Sequence, residues 1–205
     1  VTHPDLTSTV IGGADFSRVG TPEGTTPVGS SGYHGTMVAS LIAGQGLKSG
    51  GIIGIAPGAK LLSVSVGLGV ESSDTDAQIA AAIIWSVDAG ADVINLSLSR
   101  NSRSWPISWD TAFLYAFEND VVVIAASGND SDGNYRPAAP ATIPGVISVT
   151  GLDRDLEATR LSGTTGIDVT LAAPGAGLFG SYPENQIAGW SGSSAATPLG
   201  RGVVA

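Results

Sequence analysis

The sequence predicts an α/β fold with a mostly parallel central sheet and helices on both faces. Two observations carry this: short β-branched runs alternate with helical patterns along the chain, and two of those runs are continuously apolar at their centres. A strand that is apolar throughout is one covered on both sides, as in parallel sheets. The strand runs are 60–66, 92–98, 121–126, 146–150 and 167–172, with 92–98 and 121–126 the pair read as apolar at their centres. The helix 74–89 opens on Asp and Thr caps and stops before Gly90, with Ile79, Ile83, Ile84 and Val87 three or four apart. A second helix, 108–119, turns Ala112, Phe113, Ala116 and Phe117 inward. A third spans 36–43 and a fourth begins at Ser194. The Gly/Pro/Ser/Thr-rich stretch 17–31 reads as a surface loop. In such folds the functional site lies at the carboxyl ends of the strands.

Composition narrows the function. A chain of 205 residues with 42% apolar residues suits one domain, 1–205, with a sizeable core. The formal charge is -9 with only 9 Lys+Arg and no basic cluster, so nucleic acid is excluded as a partner. With no cysteine, thiol catalysis, disulfides and thiolate zinc sites are excluded. No apolar run reaches the length of a membrane span. The opening Val1-Thr2-His3-Pro4 and the closing Gly202-Val203-Val204-Ala205 read as cut ends of a longer precursor.

Three clusters could carry chemistry. His34, in Tyr33-His34-Gly35-Thr36, stands in the first turn of a buried helix, where it is held as rigidly as a general base needs; on the local sequence a helix-capping role is equally good. His3, before Pro4, reads as part of an exposed turn. Ser193 and Ser194, in Gly192-Ser193-Ser194-Ala195-Ala196-Thr197-Pro198, open a small-residue helix whose free N–H groups could hold an oxyanion, although either could be an ordinary N-cap. Pro198 is read here as lying in the first turn, where its missing N–H costs least. Asn129, after Ala126-Ser127-Gly128, projects from the end of the 121–126 strand; its amide could donate to developing negative charge, or simply shape a Gly-Asn turn. Together these are a base, a nucleophile and an oxyanion donor in one chain.

At this point the chain resembles the subtilisin-like (subtilase) serine peptidases, whose triad runs Asp, His, Ser along the sequence. Seven segments match in order: His3-Pro4-Asp5-Leu6, His34-Gly35-Thr36 with Val38-Ala39, Gly54-Ile55-Ala56-Pro57, 92–97, Ala126-Ser127-Gly128-Asn129, Ala173-Pro174-Gly175 and 192–198. The resemblance implies a three-layer α/β fold and hydrolysis of peptide bonds through an acyl-enzyme. It makes Ser194 the nucleophile, His34 the base and Asn129, with the Ser194 N–H, the oxyanion donors. It also implies that Ser97, Leu98 and Ser99 form the edge that pairs with an extended substrate. Ala126, Ser127 and Gly128 would then line the pocket for the residue before the cut, with room for a medium or large apolar side chain.

The departures set further expectations. The family aspartate lies several residues before the His-Pro-Asp-Leu segment, upstream of Val1; neither Asp5 nor Asp15 takes its place. Ser193 stands where the family usually has Thr and is an adjacent rival hydroxyl. Arg100 follows the substrate edge where many members have glycine, which makes the rim more polar. No cofactor is required. Asp5 matches an aspartate that helps bind calcium in some members, but 45–51 lacks the oxygen-bearing side chains those members supply, and six or more oxygens do not assemble. Within the family, 10–16 and 37–44 look like actinobacterial mycosins, which implies secretion or a cell-surface location and a membrane anchor outside these residues. The competing reading from another class is a catalytically dead subtilase fold serving as a binding or scaffold module. The encoded residue at the upstream aspartate position separates the two.

Overall fold

The computed structural model describes residues 1–47, 51–71, 74–100, 102–129, 136–158, 163–200 and 202. They divide into two compact units interleaved in sequence. The first comprises Val1–Asp92, Pro106–Val121 and Ser181–Ile187, the second Val93–Trp105, Val122–Gly180 and Ala188–Ala205.

The first unit holds a 3-10 turn at Pro4–Leu6, the parallel strands β1 (Val10–Asp15) and β2 (Leu61–Ser65), and the helices α1 (His34–Ala43), α2 (Thr75–Asp88) and α3 (Ile107–Glu118). Helix α2 starts as its sequence predicts. The Asp74 side chain accepts the Ala77 N–H at 3.2 Å, which satisfies one of the free donors of the first turn. Ile79 and Ile83 of α2 are buried, and so are Trp109, Ala112, Phe113 and Ala116 of α3. Polar contacts pin α3 along α2. The Trp109 indole N–H donates to the Asp76 carbonyl at 2.9 Å, and the Tyr115 hydroxyl donates to the Asp88 carboxylate at 2.8 Å. Trp109 is fully buried with its N–H satisfied, the condition under which indole burial is favourable.

The second unit is a four-stranded, all-parallel sheet in the order β3-β4-β5-β6. Its strands are β3 (Val93–Leu96), β4 (Val122–Ala126), β5 (Ile147–Leu152) and β6 (Leu171–Pro174). Helix α4 (Ser193–Gly200) packs on it, with Ala196 against Ile124, Val149 and Ala173. Only small residues on α4 allow so close an approach. A Cβ added at Gly200 would meet the Val149 side chain at 3.0 Å. The remaining strands, β7 (Leu178–Tyr182) and β8 (Gln186–Trp190), pair with each other; residues 181–187 fall in the first unit and the rest in the second.

Three expectations need correction. The strand read at 167–172 begins only at Leu171. Ile167 is 99% exposed, and the Val169 N–H turns back to the Gly166 carbonyl at 3.1 Å. A local turn, tied down by an Arg103–Asp168 ion pair of 2.9 Å, wins over β-propensity there. Pro198 lies in the second turn of α4, because the helix begins at Ser193. His3 is buried, not exposed. Its ring folds over the 3-10 turn, and Nδ1 accepts the Asp5 N–H at 3.2 Å. Proline at the first helical position fixes the chain direction that makes this cap possible.

Candidate active site

In the first unit His34 opens α1, and its N–H donates to the Ser31 carbonyl at 2.9 Å. The imidazole is half-buried, and desolvation lowers its pKa below the ordinary 6.5, because burial disfavours the charged ring. Directly before it, Tyr33 stacks on Tyr182 with ring centroids 5.1 Å apart.

The lowered pKa has a stability consequence with a definite sign. Between the folded value and the unfolded value near 6.5, the unfolded chain binds more protons than the folded one. The contribution of His34 to stability is therefore complete above the unfolded pKa and is lost as pH falls through the window towards the folded pKa. An NMR titration of the His34 Cε1–H resonance in this 205-residue chain is expected to give a midpoint below 6.5. A midpoint at or above that value overturns the reading of a desolvated imidazole.

Neither aspartate weighed at the sequence level has a free carboxylate. Asp15, at the end of β1, accepts N–H bonds from Ser17 and Gly20, each at 3.2 Å, and the Ser17 hydroxyl as well. It anchors the start of the predicted surface loop. Asp5 is buried; its Oδ1 accepts the Leu47 N–H at 3.1 Å and its Oδ2 the Ile52 N–H at 3.0 Å, with His3 Nδ1 3.8 Å from Oδ2. Among the described residues, the neighbours of this carboxylate are nitrogen groups. Hard cations need a shell of oxygens, and here the carboxylate oxygens face N–H donors. Among the described residues, no group of three or more His, Cys, Asp or Glu could hold a metal ion.

The second unit brings most of the other candidates together at the N-terminus of α4. Gly192 precedes the helix at φ +147°, a conformation that disfavours a side chain, and a Cβ there would press on the Asn129 carboxamide at 3.2 Å. This bare position lets Asn129 approach. Its Oδ1 accepts the Ser193 N–H at 2.8 Å and the Ser193 hydroxyl at 3.0 Å. With the acceptor end of the carboxamide committed, Nδ2 is its donor end. The Ser193 hydroxyl is itself buried and accepts the Gly128 N–H at 3.2 Å, so this rival of Ser194 is fully engaged in holding Asn129.

Ser194 is half-buried and tied to the end of β3 by a reciprocal pair of bonds. Its Oγ donates to the Ser97 carbonyl at 3.1 Å, and the Ser97 hydroxyl donates to the Ser194 carbonyl at 3.0 Å. Ser97 is buried, Leu98 half-buried and Ser99 exposed. Ala126 and Ser127 are buried. The Ser127 carbonyl accepts the Ala138 N–H at 3.0 Å and the Thr164 hydroxyl at 3.1 Å, while the Gly128 carbonyl accepts the Thr164 N–H at 3.1 Å. Gly128, at φ +104°, turns its bare Cα towards Ser99. A Cβ built there would lie 3.6 Å from the Ser99 hydroxyl. Segments 97–99 and 126–128 therefore approach each other at Ser99 and Gly128.

The model of the subtilase family, Peptidase_S8, matches residues 1–205. The chain belongs to the subtilase family. It is 38% identical to thermitase of Thermoactinomyces vulgaris over 201 residues, covering 98% of the chain and 68% of thermitase. It is 36% identical to the thermophilic serine proteinase of Bacillus sp. (strain AK1) over 205 residues, covering 100% of the chain but 48% of that protein. The chain thus spans about two thirds of one of these relatives and about half of the other. Among solved structures, the prenylagaramide maturation protease PagA superposes with a TM-score of 0.79 at 29% identity, covering 100% of the chain and 70% of PagA. The fold is accordingly the subtilisin-like α/β fold, with a parallel sheet and helices.

For this subtilase, sequence reasoning named His34, Asn129 and Ser194 but missed two supports. It read Ser193 as a rival hydroxyl or a cap; Ser193 is buried and holds Asn129 Oδ1, a role its local sequence does not signal. It read Asn95 only as part of an apolar strand, although a carboxamide inside an otherwise apolar run is an anomaly that asks for a partner.

Proposed function

We propose that this subtilase domain, 1–205, belongs to a serine endopeptidase that cleaves polypeptides through an acyl-enzyme at Ser194. The arrangement at the start of α4 carries the reading: Asn129 has its acceptor oxygen locked on Ser193, beside a half-buried Ser194 hydroxyl. That is the layout an oxyanion site needs, a donor fixed before charge develops.

In the proposed mechanism His34 takes the Ser194 proton as Oγ attacks the scissile carbonyl. Asn129 Nδ2 and the Ser194 N–H receive the oxyanion, and His34 returns the proton to the leaving amine. Water then repeats the sequence and frees the acid. The substrate lies extended along 97–99, with the side chain before the cut near Gly128. No cofactor takes part, and nucleic acid is not a partner. Neither Asp5 nor Asp15 is assigned as the triad aspartate, since both carboxylates are engaged elsewhere. Secretion or display at the cell surface, with a membrane anchor outside these residues, completes the proposal. Among the described residues no helix is long and apolar enough to cross a membrane.

The test is covalent labelling of the full-length protein with a fluorophosphonate, followed by peptide mapping. The expected adduct is on Ser194 and is absent from Ser194→Ala. An adduct on Ser193, or one that survives Ser194→Ala, overturns the assignment. No adduct at all favours the inactive binding module.

A further inference from the structure

Helix α4 contains a proline where the backbone of Ser194 needs a partner. Pro198 has no N–H, and in an α-helix the N–H of residue 198 would have bonded the carbonyl of residue 194. The Ser194 carbonyl is left without its helical donor. The structure supplies one from the residue just after β3, since the Ser97 hydroxyl donates to this carbonyl at 3.0 Å.

A hydroxyl has a single proton, so its direction depends on what else it meets. The Asn95 Nδ2 donates to the Ser97 Oγ at 2.9 Å. With a donor already on that oxygen, the Ser97 proton is directed at Ser194. Asn95 Oδ1 is buried and has no hydrogen-bond partner among the described residues, so the carboxamide bears the cost of an unmet acceptor while it holds this orientation.

We propose that Asn95 and Ser97 are positioning residues: a one-way hydrogen-bond relay, Asn95 to Ser97 to the Ser194 carbonyl, replaces the bond that Pro198 removes and fixes the backbone of the nucleophile. This rests on the proposed role of Ser194 and adds residues to it. The Ser194 hydroxyl, which donates to the Ser97 carbonyl, is held by the same strand end.

The test measures the rate of fluorophosphonate labelling in the full-length protein, with thermal unfolding recorded for every variant. Labelling of the native protein at Ser194 is the control; its absence counts against the assigned nucleophile and not against the relay. With that control met, Ser97→Ala is expected to slow labelling about tenfold, the rate equivalent of one lost hydrogen bond. Asn95→Asp is the discriminating variant. It keeps the shape but turns the donor into an acceptor, so the Ser97 proton swings to the carboxylate and labelling slows as much as in Ser97→Ala. Asn95→Ala leaves the hydroxyl free to donate to Ser194 and slows labelling less. Pro198→Ala restores an N–H for the Ser194 carbonyl, so in that background Ser97→Ala loses most of its effect. An Asn95→Asp protein that labels at the native rate overturns the relay. So does a Ser97→Ala defect that is the same size with and without Pro198. If Asn95→Asp fails to fold, the Ser97 and Pro198 comparison decides alone.

Discussion

Single and double replacement of Ser194 and His34 by alanine in the full-length protein are expected to leave nearly equal residual turnover, each about 10⁶-fold below the native kcat, the magnitude known for the corresponding pair in subtilisin. The equality is the informative part. A serine hydroxyl without a base is a weak nucleophile, and a base without the hydroxyl has no proton to take. Once one is gone the other contributes nothing, so the second replacement adds no further loss. Residues acting independently would instead multiply their effects. The measurement is steady-state hydrolysis of a chromogenic peptide by the three variants. A double variant far below both singles would mean that position 34 and position 194 do not serve one proton transfer, and the proposed mechanism fails with it.

Asn129→Ala is expected to lower kcat about 10²- to 10³-fold, as for removal of one oxyanion donor, while KM changes little. The split follows from when the charge appears. The oxyanion exists in the transition state and not in the bound substrate, so the Asn129 donor has nothing to hold before the chemical step. The Ser193 bonds to Oδ1, at 2.8 and 3.0 Å, make the donor ready without reorganisation. Ser193→Thr keeps the hydroxyl and is expected to retain most of the activity. A rise in KM at constant kcat for Asn129→Ala would assign this side chain to ground-state binding instead.

The elements the sequence marked well are those whose signals are local. Helix α2 has its cap, its apolar spacing and its terminal glycine all between Asp74 and Gly90, and it forms at Thr75–Asp88. The apolar run ending in Ala126 forms β4 for the same reason, with four of its five residues buried. The run at 167–172 misled because its β-branched residues sit in a turn closed by the Val169 N–H on the Gly166 carbonyl, with Asp168 paired to Arg103 more than sixty positions away. Strands β1, β7 and β8 carried too much glycine and polar sequence to stand out, and pairing with a neighbour defines them.

The order of motifs along the chain was enough to identify the family and to nominate His34, Asn129 and Ser194, because residue types and spacings are properties of the chain alone. What a hydroxyl or carboxamide does with its lone pairs was not readable in that way. Ser193 and Ser194 are neighbours with the same side chain, yet one donates to Asn129 and the other to the Ser97 carbonyl. The deciding partners lie 64 and 97 residues away. Hydrogen bonds are short-ranged and directional, so such roles are assigned only when folding brings distant backbone and side chains within three ångströms or so.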